Sequence, residues 1–172
     1  MSATGIGVIC GIIFGLIISA IIFVICNKNG KMKTNYDERQ EAIRGRGYKY
    51  AFYASYIYFV IWIVLEMGEI HIPAVTPIIV FGGIVVGILT LGIYTVFKNA
   101  YWGTNNDPVK YIVVLGIVTV INLAAGITSA MQGELVVDGV LQFQGLNILC
   151  GAMMLCLAVA LLIKKFIVKE EE

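Results

Sequence analysis

The residues that could do chemistry are few, and they stand at the ends of long apolar runs. Glu66, Glu69 and His71, the sole histidine, fall within the segment EMGEIH. Two carboxylates at i and i+3 share one face of a helix. No Lys or Arg lies on that side of the chain to neutralise them. Glu66 and Glu69 therefore read as a cation or proton site, with Glu134 and Asp138 as more distant additions, because an ionisable residue below headgroup level is a functional hypothesis by default. The competing reading is a pair of solvated carboxylates at a membrane interface. A zinc centre is not indicated, since His71 has no second His or Cys near it in sequence to complete a ligand set. Cys10, Cys26, Cys150 and Cys156 lie in or beside apolar runs and form no CxxC pair, so they read as small packing residues. No HExxH, GxSxG or pair of buried aspartates occurs. The expectation is a protein that is not an enzyme, with no catalytic residue, metal site or cofactor.

A second polar cluster occupies residues 27–49, NKNGKMKTNYDERQEAIRGRGYK. Asn29-Gly30 signals a turn. Asn35 with Glu38 three residues on resembles a capping box, and Asp37, Glu38 and Glu41 suit the positive end of a helix dipole. The pattern predicts a short juxtamembrane helix that leads into the second span, with Gly45 or Gly47 as the place for a kink. Two readings of its side chains stand. In one, basic residues sit at anionic lipid headgroups, with Tyr48, Tyr50, Tyr53, Tyr56 and Tyr58 forming an interfacial belt. In the other, Asp37, Glu38, Arg39, Gln40, Arg44 and Arg46 dock a membrane or cytoplasmic protein. Mixed charge suits protein recognition better than it suits lipid.

The elements that hold these clusters follow from composition. Of 172 residues, 59% are hydrophobic and 13% charged, with a mean hydropathy of +0.90. A soluble domain carries roughly 45–50% apolar and about 25% charged residues, so this chain requires lipid as a solvent. A membrane-crossing helix needs about 20 apolar residues, and five segments qualify: 5–26, 50–70, 77–97, 111–131 and 145–163. Continuous runs exclude a transmembrane barrel, whose strands alternate over ~10 residues. The fold expected is all-α, one polytopic membrane domain of five helices spanning 1–172. The first run is too long for a signal-peptide core and lacks a basic leader, so it reads as a retained anchor.

The 12 Lys and Arg residues set the orientation. Lys28, Lys31, Lys33, Arg39, Arg44, Arg46 and Lys49 precede the second span. Lys98 and Lys110 lie between the third and fourth, and Lys164, Lys165 and Lys169 follow the fifth. Five crossings put all of them on one side, which the positive-inside rule makes the cytoplasm. The N-terminus is then outside and the C-terminus inside. A net charge of +1 gives no reason to expect nucleic acid as a partner.

Small residues mark packing faces. Gly7, Gly11, Gly15 and Ser19 recur every fourth position on the first span, which lets two helix backbones approach. The partner is another helix of the bundle or a second copy in a homo-oligomer. Gly83 and Gly87 make a weaker stripe on the third span. Asn122, with Gly126 and Ser129, is expected to face a neighbouring helix. Asp138-Gly139 is a type I′ turn signal, which predicts a short hairpin of 134–137 with 140–143. The alternative for 133–144 is an extension of the fourth helix.

The string Tyr36 to Tyr53, YDERQEAIRGRGYKYAFY, resembles the juxtamembrane motif of small uncharacterised multi-span membrane proteins of Gram-positive bacteria. The resemblance implies a bacterial cytoplasmic membrane and carries no activity with it. It marks Asp37, Glu38, Arg39, Gln40, Arg44 and Gly45 as the residues to test first. Two function classes remain. One is a small membrane subunit or regulator acting through the segment before the second span. The other is a transporter or channel component using Glu66, Thr90, Thr95, Asn122 and Asn147. The first rests on the denser cluster of residues.

Overall fold

In the computed structural model the residues described are 13–15, 17–21, 24, 35–104 and 108–170. The chain divides into two compact units, Met1–Asn35 and Tyr36–Glu172. In the first unit, residues 13–15, 17–21 and 24 are helical and constitute α1. Ser19 Oγ donates to Gly15 O at 2.8 Å, one turn back along the stripe. Gly7 and Gly11 lie outside the described residues.

The second unit has four long helices and one hairpin: α2 (Glu38–Met67), α3 (Thr76–Phe97), α4 (Pro108–Met131), β1 (Val136–Val137), β2 (Val140–Leu141) and α5 (Gly145–Glu170). All four helices are long and apolar enough to cross a membrane. At 1.5 Å per residue the 30-residue α2 is about 45 Å long, against about 30 Å of hydrocarbon. It therefore contains both the juxtamembrane segment and the second span. The juxtamembrane helix expected to lead into that span is continuous with it. The N-cap is displaced from Asn35 to Asp37. Asp37 Oδ1 accepts from Gln40 N at 2.6 Å, and Gln40 Oε1 accepts from Asp37 N at 3.3 Å. This reciprocal box satisfies two backbone donors that a helix start leaves open.

Three helices end in the same way. A residue just past the helix takes a positive φ, and the next N–H reaches back five residues. At α2 this residue is Glu69 (φ 57), with Ile70 N donating to Leu65 O at 2.9 Å. At α3 it is Asn99 (φ 57), with Ala100 N on Thr95 O at 2.9 Å. At α4 it is Gly133 (φ 75), with Glu134 N on Ser129 O at 3.0 Å.

The helices pack as a row in the order α2, α3, α5, α4. The glycines set the close approaches. On α3, a Cβ at Gly82 would stand 2.5 Å from Tyr58 Oη, and one at Gly87 2.5 Å from Ser55 Oγ. Gly83 lies directly against the Phe59 ring. Two hydrogen bonds bridge this contact, from Ser55 Oγ to Gly83 O and from Tyr58 Oη to Ile79 O, each 2.8 Å. A Cβ at Gly92 of α3 would meet Leu157 of α5 at 2.5 Å. Gly151 of α5 admits Leu123 of α4, and Gly126 of α4 admits Ile148. The pairings 92 with 157 and 78 with 145 make α3 and α5 parallel. Two antiparallel helix pairs are thus joined side by side through their second members. The inner helix α3 holds the largest share of the buried residues, including Ile78, Ile79, Val85, Thr95 and Val96. Exposed apolar residues such as Phe52, Ile61 and Val64 on α2 and Val113, Ile117 and Val120 on α4 form faces suited to lipid.

The predicted hairpin is present, with its ladder pairing Val136 with Leu141 and Val137 with Val140. Gln142 N donates to Leu135 O at 2.8 Å, so backbone pairing extends one step beyond the strands. Asp138 (φ 51) and Gly139 (φ 77) have the two positive φ values of a type I′ turn. The hairpin is held by the α2–α3 loop: Leu141 N donates to Pro73 O at 2.8 Å and Val75 N to Leu141 O at 3.0 Å. A lone two-stranded ribbon is marginal in water. Here the loop supplies a third extended segment.

Candidate functional site

At one end of the row, four side chains converge on the backbone that follows α3. The helix-ending turn at Asn99 leaves the carbonyls of 97–102 without helical partners. Lys164 Nζ donates to Phe97 O at 2.8 Å. Arg39 Nη2 reaches Lys98 O at a long 3.5 Å. Gln40 Nε2 donates to Asn99 O and Trp102 O, each at 3.2 Å. Arg44 Nη1 donates to Ala100 O at 3.4 Å. Three of the four donors are cations at the negative end of a helix dipole, the favourable arrangement. Gln40 also closes the α2 capping box, so one side chain joins the start of α2 to the end of α3.

Arg44 is held further by aromatics. Its guanidinium lies 4.2 Å from the Tyr36 ring centroid, and its Nη2 donates to Tyr48 Oη at 3.2 Å. Tyr101 packs edge-on against Trp102, with centroids 4.5 Å apart. Burial pushes the Tyr101 phenol above its ordinary value of 10.0. The neighbouring Tyr36 adds to the rise, and Arg44 opposes it. A 250 Å³ cavity beside this cluster is lined by Gln40, Val96, Asn99, Tyr101, Trp102 and Leu161, with Lys164 at its edge.

The polar segment of α2 is thereby split in two. Gln40, Ile43, Arg44 and Gly47 form the inward stripe: Ile43 and Gly47 are buried, and a Cβ on Gly47 would stand 2.9 Å from Leu91 of α3. Glu38, Glu41, Ala42, Gly45 and Arg46 form the outward stripe and are exposed. Asp37 is the exposed helix cap, and Arg39 is exposed while reaching the turn. Nothing in the sequence pattern marks Lys164 or Tyr36 as part of this cluster. Lys164 is distant along the chain, and only the parallel packing of α3 and α5 brings it to Phe97.

At the opposite end, Glu66 Oε2 lies 2.9 Å from His71 Nδ1, and Trp62 Nε1 donates to Glu66 Oε1 at 3.3 Å. Glu69 is not on a helix face with Glu66, contrary to expectation. The helix stops at Met67 with Gly68 as its cap, and Glu69 is the residue that reverses the chain. No group of three or more His, Cys, Asp or Glu suited to a metal ion occurs among the described residues. Within the helices, Thr90 bonds Val86 O, Thr95 bonds Leu91 O and Asn122 bonds Val118 O, each at 2.8–2.9 Å on its own helix. Asn122 is half-buried.

Comparison with known protein families, with curated proteins and with solved structures returned no match. The fold and the composition together define the class: the four long apolar helices among the described residues make this an integral membrane protein.

Proposed function

We infer that the chain is a small membrane subunit or regulator that binds a protein partner through the outward stripe of α2. The supporting observation is the division of the polar segment. Gln40 and Arg44 are engaged by the 97–102 turn, whereas Glu38, Glu41 and Arg46 are exposed around the small residues Ala42 and Gly45. Exposed charges of both signs around small side chains form a surface that a complementary protein can approach closely. The basic end of the row is taken as cytoplasmic by the positive-inside rule, which puts this stripe in the cytoplasm. The resemblance of Tyr36 to Tyr53 to the juxtamembrane motif supports placement in a bacterial cytoplasmic membrane.

The test is purification of the full chain from membranes in mild detergent, wild type beside Glu38→Lys/Glu41→Lys and Arg46→Glu. A protein retained by the wild type and lost from both variants, at equal recovery of the chain, supports the reading. Identical recovery of all associated proteins from the three preparations overturns it. A transport role would need Thr90, Thr95 and Asn122 to line a common path. Their bonds to their own helices give that alternative no support.

A further inference from the structure

A groove of about 640 Å³ opens between α4 and α5 at the basic end. Val109, Ile112 and Val113 line one side, and Ala158, Leu161 and Leu162 the other. The cause of the opening is in the sequence. Gly116 and Ala158 face each other at its inner limit, and a Cβ built on Gly116 meets nothing within 4 Å. Deeper in the membrane, Gly126 and Gly151 let the two helices close on Ile148 and Leu123. From Lys164 to Ala158 the groove runs about 9 Å along the helix axis at 1.5 Å per residue, within one leaflet of a hydrocarbon core about 30 Å thick.

The mouth has a different chemistry from the walls. Lys164, Asn99 and Trp102 stand there, with Lys98 next along the turn. Lys164 uses one of its three ammonium hydrogens on Phe97 O, so the charge is fixed at headgroup depth with hydrogens remaining. A Trp at the same level is characteristic of a membrane–water boundary. Among the described residues, Lys164, with Lys98 beside it on the turn, makes the mouth cationic.

We propose that this groove is a binding site for one anionic phospholipid, with an acyl chain between α4 and α5 and the phosphate on Lys164. The site's chemistry is that of an amphiphile: apolar walls with a cation at the mouth. Phospholipid of that leaflet surrounds any chain spanning the membrane, and charge complementarity selects the anionic kind. The site is separate from the outward stripe of α2 and does not depend on the partner proposed for it.

Native mass spectrometry of the detergent-purified full chain tests this, with phosphatidylglycerol and phosphatidylcholine of identical chains added in turn. The wild type is expected to retain one phosphatidylglycerol about 5–10-fold more tightly than phosphatidylcholine, the scale of one charge-assisted contact of about 1–1.4 kcal/mol. Lys164→Gln removes the preference. Gly116→Phe, which leaves the Lys164 bond to Phe97 intact, reduces binding of both lipids. Equal retention of the two lipids by the wild type overturns the proposal, as does displacement of phosphatidylglycerol by inorganic phosphate alone. A purified dimer that Gly116→Phe converts to monomer also overturns it, because the groove is then an interface between copies. Helical content by circular dichroism confirms that each variant is folded.

Discussion

Substituting Gly83 by alanine places a methyl group into the Phe59 ring, with Cε2 at 2.7 Å and Cε1 at 2.9 Å. Carbon atoms in contact prefer about 3.5–4.0 Å, so α2 and α3 must separate by roughly 1 Å or Phe59 must leave its rotamer. Separation by that amount stretches the bonds from Ser55 to Gly83 O and from Tyr58 to Ile79 O, now 2.8 Å each, beyond bonding range. Interhelical bonds in membranes average about 0.6 kcal/mol, so the two together contribute about 1.2 kcal/mol. Overpacking adds about 1–3 kcal/mol. The intrinsic preference of a helix for alanine over glycine offsets about 0.5–1 kcal/mol. The expected net destabilisation is about 2 kcal/mol, up to a 30-fold shift in the unfolding equilibrium. The control is Gly45→Ala, on the exposed stripe of α2, where a Cβ meets nothing within 4 Å. It keeps only the alanine gain and is expected to be neutral or slightly stabilising. Reversible unfolding in mixed detergent micelles, followed by circular dichroism, measures both. Equal stability of Gly83→Ala and Gly45→Ala would refute the claim that the glycines of α3 set its approach to α2.

Four further outcomes follow from the ends of the helices. Arg44→Ala removes a charged donor from Ala100 O, and a hydrogen bond to a charged group contributes about 1.5–3 kcal/mol. Faster amide exchange at 97–104, with α4 and α5 unchanged, is expected, and unaltered exchange there would show that the turn stands without it. Glu69→Gly relieves a left-handed backbone that costs a non-glycine residue about 1–2 kcal/mol. The variant should unfold later than the wild type, and a loss of stability would mean that the Glu69 side chain has a role the backbone does not reveal. The Tyr101 phenol is held above 10.0, so folding favours its neutral form. Its contribution to stability is complete below pH 10, declines as pH rises toward the raised folded value, and should be absent from Tyr101→Phe. Coincident alkaline unfolding profiles for the two proteins would contradict this. Cysteines introduced at Gly133 and Lys98 should be labelled from opposite sides of the membrane, and labelling of both from one side would break the arrangement of α3 and α4.

Much of the architecture is local in origin and so was readable along the chain. Apolar runs of about 20 residues mark α3, α4 and the start of α5 within a few residues, because lipid demands continuous hydrophobicity and internally bonded backbone, whereas α5 runs on past the apolar stretch to Glu170. Asp138-Gly139 places the hairpin, because a type I′ turn needs two residues that tolerate positive φ. Reading failed where two local signals competed. Asn35 has the type and spacing of an N-cap and Asp37 those of a first-turn acid, yet Gln40 answers Asp37 with its side chain and makes Asp37 the cap. Glu69 carries the spacing of a helix face, yet the turn ending α2 takes it out of the helix.

What the sequence by itself determined is the membrane class and the long apolar helical elements, since these depend on composition and on spacing along one chain. The tertiary structure alone decided what the polar residues before the second span do. Gln40 and Arg44 are assigned to carbonyls about 60 residues away, and Lys164 to one 67 residues away. No sequence pattern announces such bonds, because the acceptors are backbone atoms that every residue possesses. Only the packing of α3 against α2 and α5 presents those carbonyls to these donors, and so leaves Glu38, Glu41 and Arg46 as the exposed side of α2.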